Sequence, residues 1–314
     1  MHAIVMLLIQ VLPPFAAAVP SAHAPVPLGA DPCHAAAPAA PATAASPGEA
    51  TRSRFVRLPD GVRMRVVEAG PEDGEPLVVL HGYSDSSFSF SRVLPLLADR
   101  YRIIAPDMRG HGCSDRPAGS YGMDVLADDA VRVMDAIGVE RATVLGHSMG
   151  GFVAQQVAAR HPDRVDRVVL VGSALRFAGT PAAAGLVPAV DALPDPVPVD
   201  FIRDFQVSTF HRSLPDAFVA SVIAESTKLP ADVWRALMAG MLAMEPVAPA
   251  LAAGDIPTLL MWGEFDAVFG PSERDGLRRA LPDATALEYE ETGHAPHWES
   301  PERFAADVRA FLSR

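Results

Sequence analysis

Short apolar runs alternate with amphipathic stretches over most of this chain. The runs predict eight strands, at 55–58, 62–67, 76–80, 102–105, 142–145, 165–171, 258–262 and 284–289. Apolar residues at helical spacing predict helices between several of them, at 89–98, 123–137, 152–157, 272–280 and 301–312. Strands and helices that alternate in this way are typical of an α/β fold. The pattern therefore predicts a doubly wound, mostly parallel sheet.

The alternation stops between residues 174 and 254, where Pro-rich pieces separate three helical patterns at 199–210, 215–228 and 231–244. Because strands resume at residue 258, we interpret this segment as an insertion into a single domain that covers residues 52–314. The insertion follows the sixth main strand. It is predicted to be a helical cap.

The N-terminal part of the chain has a different composition. Residues 3–19 are apolar but too short, and too interrupted by proline, for a transmembrane helix. Ala22-His23-Ala24 resembles a signal-peptidase site, so residues 1–24 are a candidate secretory signal; an over-extended gene start is the alternative. Residues 25–51 are rich in Ala and Pro and are expected to form a disordered linker. Export predicts a periplasmic or secreted protein, and a mis-assigned start predicts a cytoplasmic one.

Composition excludes several classes of function. The 314 residues carry a net charge of −12, which offers no electrostatic footprint for nucleic acid. The body has no apolar run of about 18 residues, so no membrane span is expected there. The two cysteines form no metal motif, and a Cys33–Cys113 bridge is not expected because Cys33 lies in the linker. No cofactor or metal is predicted, and the oligomeric state is left open.

The first chemical motif is Gly146-His147-Ser148-Met149-Gly150, which lies between a predicted strand and a predicted helix. In this context G-x-S-x-G is typical of a nucleophile elbow, a sharp turn that exposes the serine hydroxyl. The strand end and the helix start nearly touch at such a turn. The residues two before and two after the serine must therefore be small. Gly146 and Gly150 meet that requirement. Ser148 is the predicted nucleophile.

A serine hydroxyl needs a general base, and the base needs an acid that orients it. The elbow motif predicts the chain order serine, acid, histidine. Asp266 follows the strand at 258–262, and His294 follows the strand at 284–289, so these two are the predicted acid and base. Glu264 is the rival of Asp266. His297 is the rival of His294, and we expect it to pack at the start of the last helix.

Acyl transfer also needs N–H donors for the oxyanion of the transition state. The backbone N–H of Met149, directly after the nucleophile, is one predicted donor. The second should come from the loop after the third main strand, and we assign it to the N–H of Tyr83.

Together these motifs resemble the α/β-hydrolase superfamily, in particular its capped bacterial serine hydrolases. The resemblance runs from about residue 52 to the C-terminus and rests on His81-Gly82, 107–112, 146–151, 262–266 and Gly293-His294. It implies hydrolysis of carboxylic esters, including lactones, through an acyl-enzyme. Epoxide hydrolases and haloalkane dehalogenases carry an aspartate at the position of Ser148, so the serine argues against both.

The resemblance leaves other activities open. The same triad is compatible with a carbon–carbon bond hydrolase or a cofactor-free haloperoxidase, and the fold is compatible with a ligand-binding receptor that is not an enzyme. No basic cluster predicts a phosphorylated substrate, so the expected partner is a small, fairly apolar ester or lactone. The candidate substrate-binding residues are His147, Phe205, Trp234, Met238 and Val268.

Overall fold

The computed structural model describes Cys33 and residues 51–314. The predicted signal segment and all of the predicted linker except Cys33 and residue 51 therefore lie outside the described residues. Within the part described, no helix combines the length and the apolar character needed to cross a bilayer.

The centre of the fold is one sheet of eight strands. They are β1 Arg52–Arg57, β2 Arg63–Ala69, β3 Glu75–Leu80, β4 Tyr101–Pro106, β5 Ala142–His147, β6 Val165–Val171, β7 Thr258–Gly263 and β8 Thr285–Tyr289. Their order in the sheet is β1-β2-β4-β3-β5-β6-β7-β8. The strand β2 pairs antiparallel with β1 and β4, and the other pairs are parallel. The predicted mostly parallel sheet is confirmed.

Eleven α-helices accompany the sheet in the described part of the chain. They are α1 Leu94–Leu97, α2 Met123–Ala136, α3 Met149–Arg160, α4 Pro181–Asp191, α5 Val199–Val207, α6 Asp216–Ser226, α7 Ala231–Ala243, α8 Ala248–Ala253, α9 Pro271–Ala280, α10 Pro296–Glu299 and α11 Pro301–Leu312. The predicted helix over 89–98 is instead a 3₁₀ turn at Ser87–Phe90 followed by the short α1.

Helices cover both faces of the sheet, which explains why the central strands are apolar throughout. Along β3, Val78 and Leu80 belong to one hydrophobic core with side chains of α2, α3 and α9, whereas Leu77 and Val79 belong to a second core with side chains of α1 and α11. Every residue of β5 is buried. A strand that is buried on both faces contributes side chains to two cores, so it reads as a continuous apolar run.

The helices α4 to α8 all lie between β6 and β7, in the segment that the sequence predicts to be a cap. Three of them match the predicted helical patterns, and α4 and α8 were not predicted. Pro181 occupies the first turn of α4, where its missing N–H costs nothing, and the Thr180 side chain caps the helix. Pro188 lies inside α4, and proline disfavours a helix, so the sequence did not predict a helix here.

One expectation about the cysteines is wrong. Cys33 and Cys113 form a disulfide, with their Cα atoms 5.2 Å apart. Cys113 is buried in the loop after β4, and its N–H donates to the Asp107 carboxylate at 2.9 Å. Linker composition shows that a segment cannot form its own core, but it does not show whether a cysteine within it bonds to the folded body.

Candidate active site

Loops from several strands meet at the carboxyl-terminal edge of the sheet. In an open parallel sheet this edge is where ligands bind. Tyr83 follows β3, Ser148 follows β5, Asp266 follows β7 and His294 follows β8. The fold therefore collects the residues that the sequence predicts to be functional, although they are spread over most of the chain.

Ser148 lies at a sharp turn between β5 and α3. Its backbone has φ 54° and ψ −117°, a conformation that side-chain-bearing residues rarely adopt. A Cβ atom at Gly146 would overlap the carbonyl of Gly150, and one at Gly150 would overlap the carbonyl of Leu80. The Ser148 N–H donates to the carbonyl of Val171 at 2.9 Å. Such contacts are typical of a nucleophile elbow, and they explain why positions 146 and 150 are both glycine.

His294 and Asp266 are in direct contact. The His294 Nδ1 lies 3.0 and 2.9 Å from the two carboxylate oxygens of Asp266. Asp266 Oδ1 also accepts the N–H groups of Val268 and Phe269, both at 2.9 Å. Both side chains are buried. Because a carboxylate can only accept, His294 Nδ1 is the donor in this contact, and Nε2 is the ring nitrogen that does not face Asp266.

The imidazole of His294 lies beside the elbow. A Cβ at Gly172 would come within 3.0 Å of His294 Nδ1 and 3.1 Å of Cε1, so the ring covers that glycine. Gly172 directly follows Val171, the residue that accepts the Ser148 N–H. His147, the residue before Ser148, is 5.0 Å from His294 between ring centroids.

The rival residues are placed elsewhere. Glu264 is exposed, and its carboxylate accepts the N–H of Glu291 at 3.0 Å. His297 is fully buried in α10, where its Nε2 lies 3.2 Å from Ser89 Oγ and its ring packs against Phe90. Burial lowers the pKa of His297 to about 3, so this ring stays neutral at physiological pH.

The two residues predicted to supply oxyanion donors flank the elbow. Met149 is buried in the first turn of α3, where backbone N–H groups have no partner within the helix. Tyr83 is buried directly after His81-Gly82, and its hydroxyl donates to the carbonyl of Trp234 at 2.7 Å. This bond attaches the loop after β3 to the cap helix α7.

Two of the candidate substrate-binding residues, Phe205 and Trp234, pack against Tyr83 on the loop after β3. Phe205 and Trp234 make edge-on contacts with the Tyr83 ring, at centroid distances of 5.9 and 4.9 Å. Trp234 and Met238 are buried in α7, and Val268 lies partly buried two residues after Asp266. His147 is buried, and its Nε2 donates to the carbonyl of His294 at 3.2 Å.

Sequence reasoning missed a buried polar cluster behind this site. Asp85, on the loop after β3, receives a hydrogen bond from Gln206 of the cap helix α5 at 3.0 Å. Burial raises the pKa of the Asp85 carboxyl to about 6. Only the polarity of Ser84, Asp85 and Ser86 directly after an apolar strand could have pointed to it, because Gln206 lies in a helix more than a hundred residues later.

The fold and the arrangement of these loops define an α/β hydrolase. The family model for the alpha/beta hydrolase fold matches residues 75–198. The chain is 30% identical to a solved esterase from Rhodococcus sp., with a TM-score of 0.72, covering 83% of this chain and 98% of that one. This chain belongs to the α/β-hydrolase superfamily.

Curated relatives from other bacteria match over similar lengths. An AB hydrolase superfamily protein from Bacillus subtilis is 27% identical, over 81% of this chain and 95% of its own length. A cis-3-alkyl-4-alkyloxetan-2-one decarboxylase from Xanthomonas campestris pv. campestris is 26% identical, over 85% and 98% of the two lengths. These similarities support a hydrolase. The names of the relatives differ in the reaction, so they do not specify the bond that this chain cleaves.

Proposed function

We propose that the protein is a serine hydrolase that cleaves carboxylic esters, including lactones, through an acyl-enzyme. The observation that supports this most strongly is the contact of His294 Nδ1 with both oxygens of Asp266, beside a strained Ser148. A nucleophile, an orienting acid and a base, in this chain order, are the parts that acyl transfer requires. The similarity to an esterase from Rhodococcus sp. points the same way.

In the proposed acylation step, Ser148 Oγ attacks the ester carbonyl carbon and His294 Nε2 takes the hydroxyl proton. The carbonyl oxygen becomes an oxyanion, which the N–H groups of Tyr83 and Met149 stabilise. Collapse of this intermediate breaks the bond to the alcohol oxygen, and His294 returns the proton to it. Asp266 stays ionised and stabilises the imidazolium form of His294 throughout.

In deacylation a water molecule replaces the alcohol. His294 Nε2 removes a proton from the water, whose oxygen attacks the acyl carbon, and the same two N–H groups hold the second oxyanion. The carboxylic acid leaves as Ser148 recovers its proton. With a lactone, the alcohol and the acid remain parts of one hydroxy-acid product.

The cap supports a small, fairly apolar substrate. Phe201 and Phe205 each lie edge-on to Trp234, and Phe205 and Trp234 lie edge-on to Tyr83, which carries a proposed oxyanion donor. Such a surface gives affinity to alkyl and aryl groups and little to charged ones. One relative is named for a substituted oxetan-2-one, so small lactones belong in the substrate panel.

The test is hydrolysis of p-nitrophenyl esters of short and medium chain length, and of small lactones, by wild type and Ser148→Ala. We expect kcat to fall at least about a thousandfold in the variant. Ser173→Ala is the matched control, because none of the residues that the structure describes forms a hydrogen bond with this buried hydroxyl, which lies two residues after β6. Unchanged turnover in Ser148→Ala contradicts the proposal. If the wild type hydrolyses a ring-fission diketone but no ester, the protein is a carbon–carbon bond hydrolase instead.

We also propose that the protein matures in an oxidising compartment, periplasmic or extracellular. The Cys33–Cys113 disulfide supports this, because such bonds rarely persist in the cytosol. Peptide mapping of the exported protein without reduction should recover both cysteines in one linked pair, and reduction should separate them. Two free thiols in the exported protein contradict the proposal.

A further inference from the structure

The loop between β3 and the first 3₁₀ turn holds an unfavourable conformation. Ser84 directly follows Tyr83 and has φ 63°, in the left-handed region that residues with a side chain rarely adopt. Ser84 is fully buried. A strained backbone of this kind persists only where surrounding contacts hold it.

The holding contacts come from the cap. The Gln206 Nε2, on α5, lies 3.0 Å from Asp85 Oδ1, 2.8 Å from Ser226 Oγ and 3.3 Å from Ser84 Oγ. The Ser226 hydroxyl donates to the carbonyl of Val222 at 3.1 Å, so its oxygen is free to accept from Gln206. All four polar side chains of this cluster, Ser84, Asp85, Gln206 and Ser226, are buried. Buried hydrogen bonds that satisfy one another in this way rigidify the segments they join.

The same cluster continues towards the base. Asp85 Oδ2 accepts from Ser89 Oγ at 3.3 Å and lies 4.0 Å from His147 Nδ1. The other nitrogen of His147 donates to the carbonyl of His294 at 3.2 Å. A Cβ at Gly82 would come within 3.0 Å of both Asp85 Oδ2 and His147 Nδ1, so the loop backbone lies against both groups. Asp85 therefore lies between Gln206 and His147, the residue that precedes Ser148 and bonds to the carbonyl of His294.

We propose that Gln206 is a positioning residue for the hydrolysis proposed above. Through Ser84 and Asp85 it holds the loop after β3 so that the Tyr83 N–H points at the reacting carbonyl. The cap then does more than cover the substrate, because one of its helices fixes half of the oxyanion hole. This inference rests on the proposed function for its catalytic consequence, but the hold on the loop can be measured without any substrate.

The test variant is Gln206→Met, which keeps the side-chain volume and removes the amide. Thr180→Ala is the matched control: it also removes a neutral, buried polar group from the cap, but among the described residues the Thr180 hydroxyl bonds to Phe177 and Ala183 and not to the loop after β3. In Gln206→Met we expect hydrogen exchange of the amides of residues 82–89 to rise about tenfold, because the loop opens more often. We expect no change in these amides in Thr180→Ala.

The catalytic consequence is read from Ser148. A fluorophosphonate probe forms a bond from its phosphorus to Ser148 Oγ and loses fluoride, and its phosphonyl oxygen takes the place of the oxyanion. In Gln206→Met we expect labelling of Ser148, and kcat for esters, to fall about tenfold with KM within about twofold, since the donor is displaced rather than removed. A merely structural role lowers melting temperature and leaves both rates unchanged.

Asp85 provides a second variant pair. Asp85→Asn keeps an oxygen that accepts from Gln206 and turns an N–H towards His147 Nδ1, so it should retain wild-type exchange and labelling. Asp85→Ala removes the acceptor and should match Gln206→Met. The neutral amide is well suited to this site, because burial raises the pKa of the carboxyl it replaces.

Unchanged loop exchange in Gln206→Met overturns the inference, and so does faster exchange without slower labelling. A wild type that the probe does not label at Ser148 counts against the proposed function instead. In that case hydrogen exchange alone tests whether Gln206 holds the loop. Faster exchange in Gln206→Met than in wild type supports the hold on the loop, and equal exchange rates contradict it.

Discussion

Replacing His294 with alanine is expected to lower kcat for ester hydrolysis at least about a thousandfold while the protein stays folded. The reason is that Ser148 has a neutral hydroxyl, which is a poor nucleophile until a base removes its proton. His294 is the histidine whose Nδ1 contacts an ionisable carboxylate beside the elbow. Steady-state kinetics on a p-nitrophenyl ester, with thermal unfolding of the same sample, measures both effects.

His297→Gln is the control for this experiment. His297 is as deeply buried as His294 and lies three residues later, but its Nε2 contacts Ser89 rather than a carboxylate. Glutamine retains an amide N–H for Ser89 Oγ. This variant should therefore have a lower melting temperature than wild type but a similar kcat. A His294→Ala enzyme with near-normal kcat, or a His297→Gln enzyme without activity, shows that the base has been misassigned.

Much of this fold could be predicted from sequence because the central strands are recognisable from their own residues. Central parallel strands such as β5 are buried on both faces, so their positions are marked by continuous apolar runs. The elbow motif predicts the chain order of nucleophile, acid and base, and the strand signal narrows the choice to Ser148, Asp266 and His294, because each lies in the loop after a predicted strand. The elbow also has a steric signature in Gly146 and Gly150.

The cap and its contacts with the sheet were harder to predict. Helix α4 contains Pro188, a residue of very low helix propensity, so propensity argues against the helix that the structure contains. The contact between Asp85 and Gln206, and the disulfide between Cys33 and Cys113, join residues far apart in the chain. A single sequence carries no periodic pattern for such pairs, because each partner is a lone polar or thiol side chain in an otherwise ordinary segment.

The orienting acid makes the second large prediction: Asp266→Asn should lower kcat about 10⁴-fold, with little change in KM. The Asn side chain can still accept the N–H groups of Val268 and Phe269 through Oδ1, as Asp266 does now. Its amide nitrogen then faces His294 Nδ1 and donates to it. The imidazole is thereby held with its proton on Nε2, the nitrogen that must accept the proton of Ser148.

Glu264→Gln is the matched control, because it makes the same change of carboxylate to amide in the same loop. Glu264 is exposed and contacts the N–H of Glu291, so kcat should stay within about twofold of wild type. The pH dependence of kcat tests whether Asp266→Asn has lost its general base. Hydroxide can partly replace that base, so kcat of Asp266→Asn should rise with pH over a range in which kcat of wild type is constant. If Glu264→Gln shows the large loss and Asp266→Asn does not, the orienting acid is Glu264, and the contact of Asp266 with His294 serves packing alone.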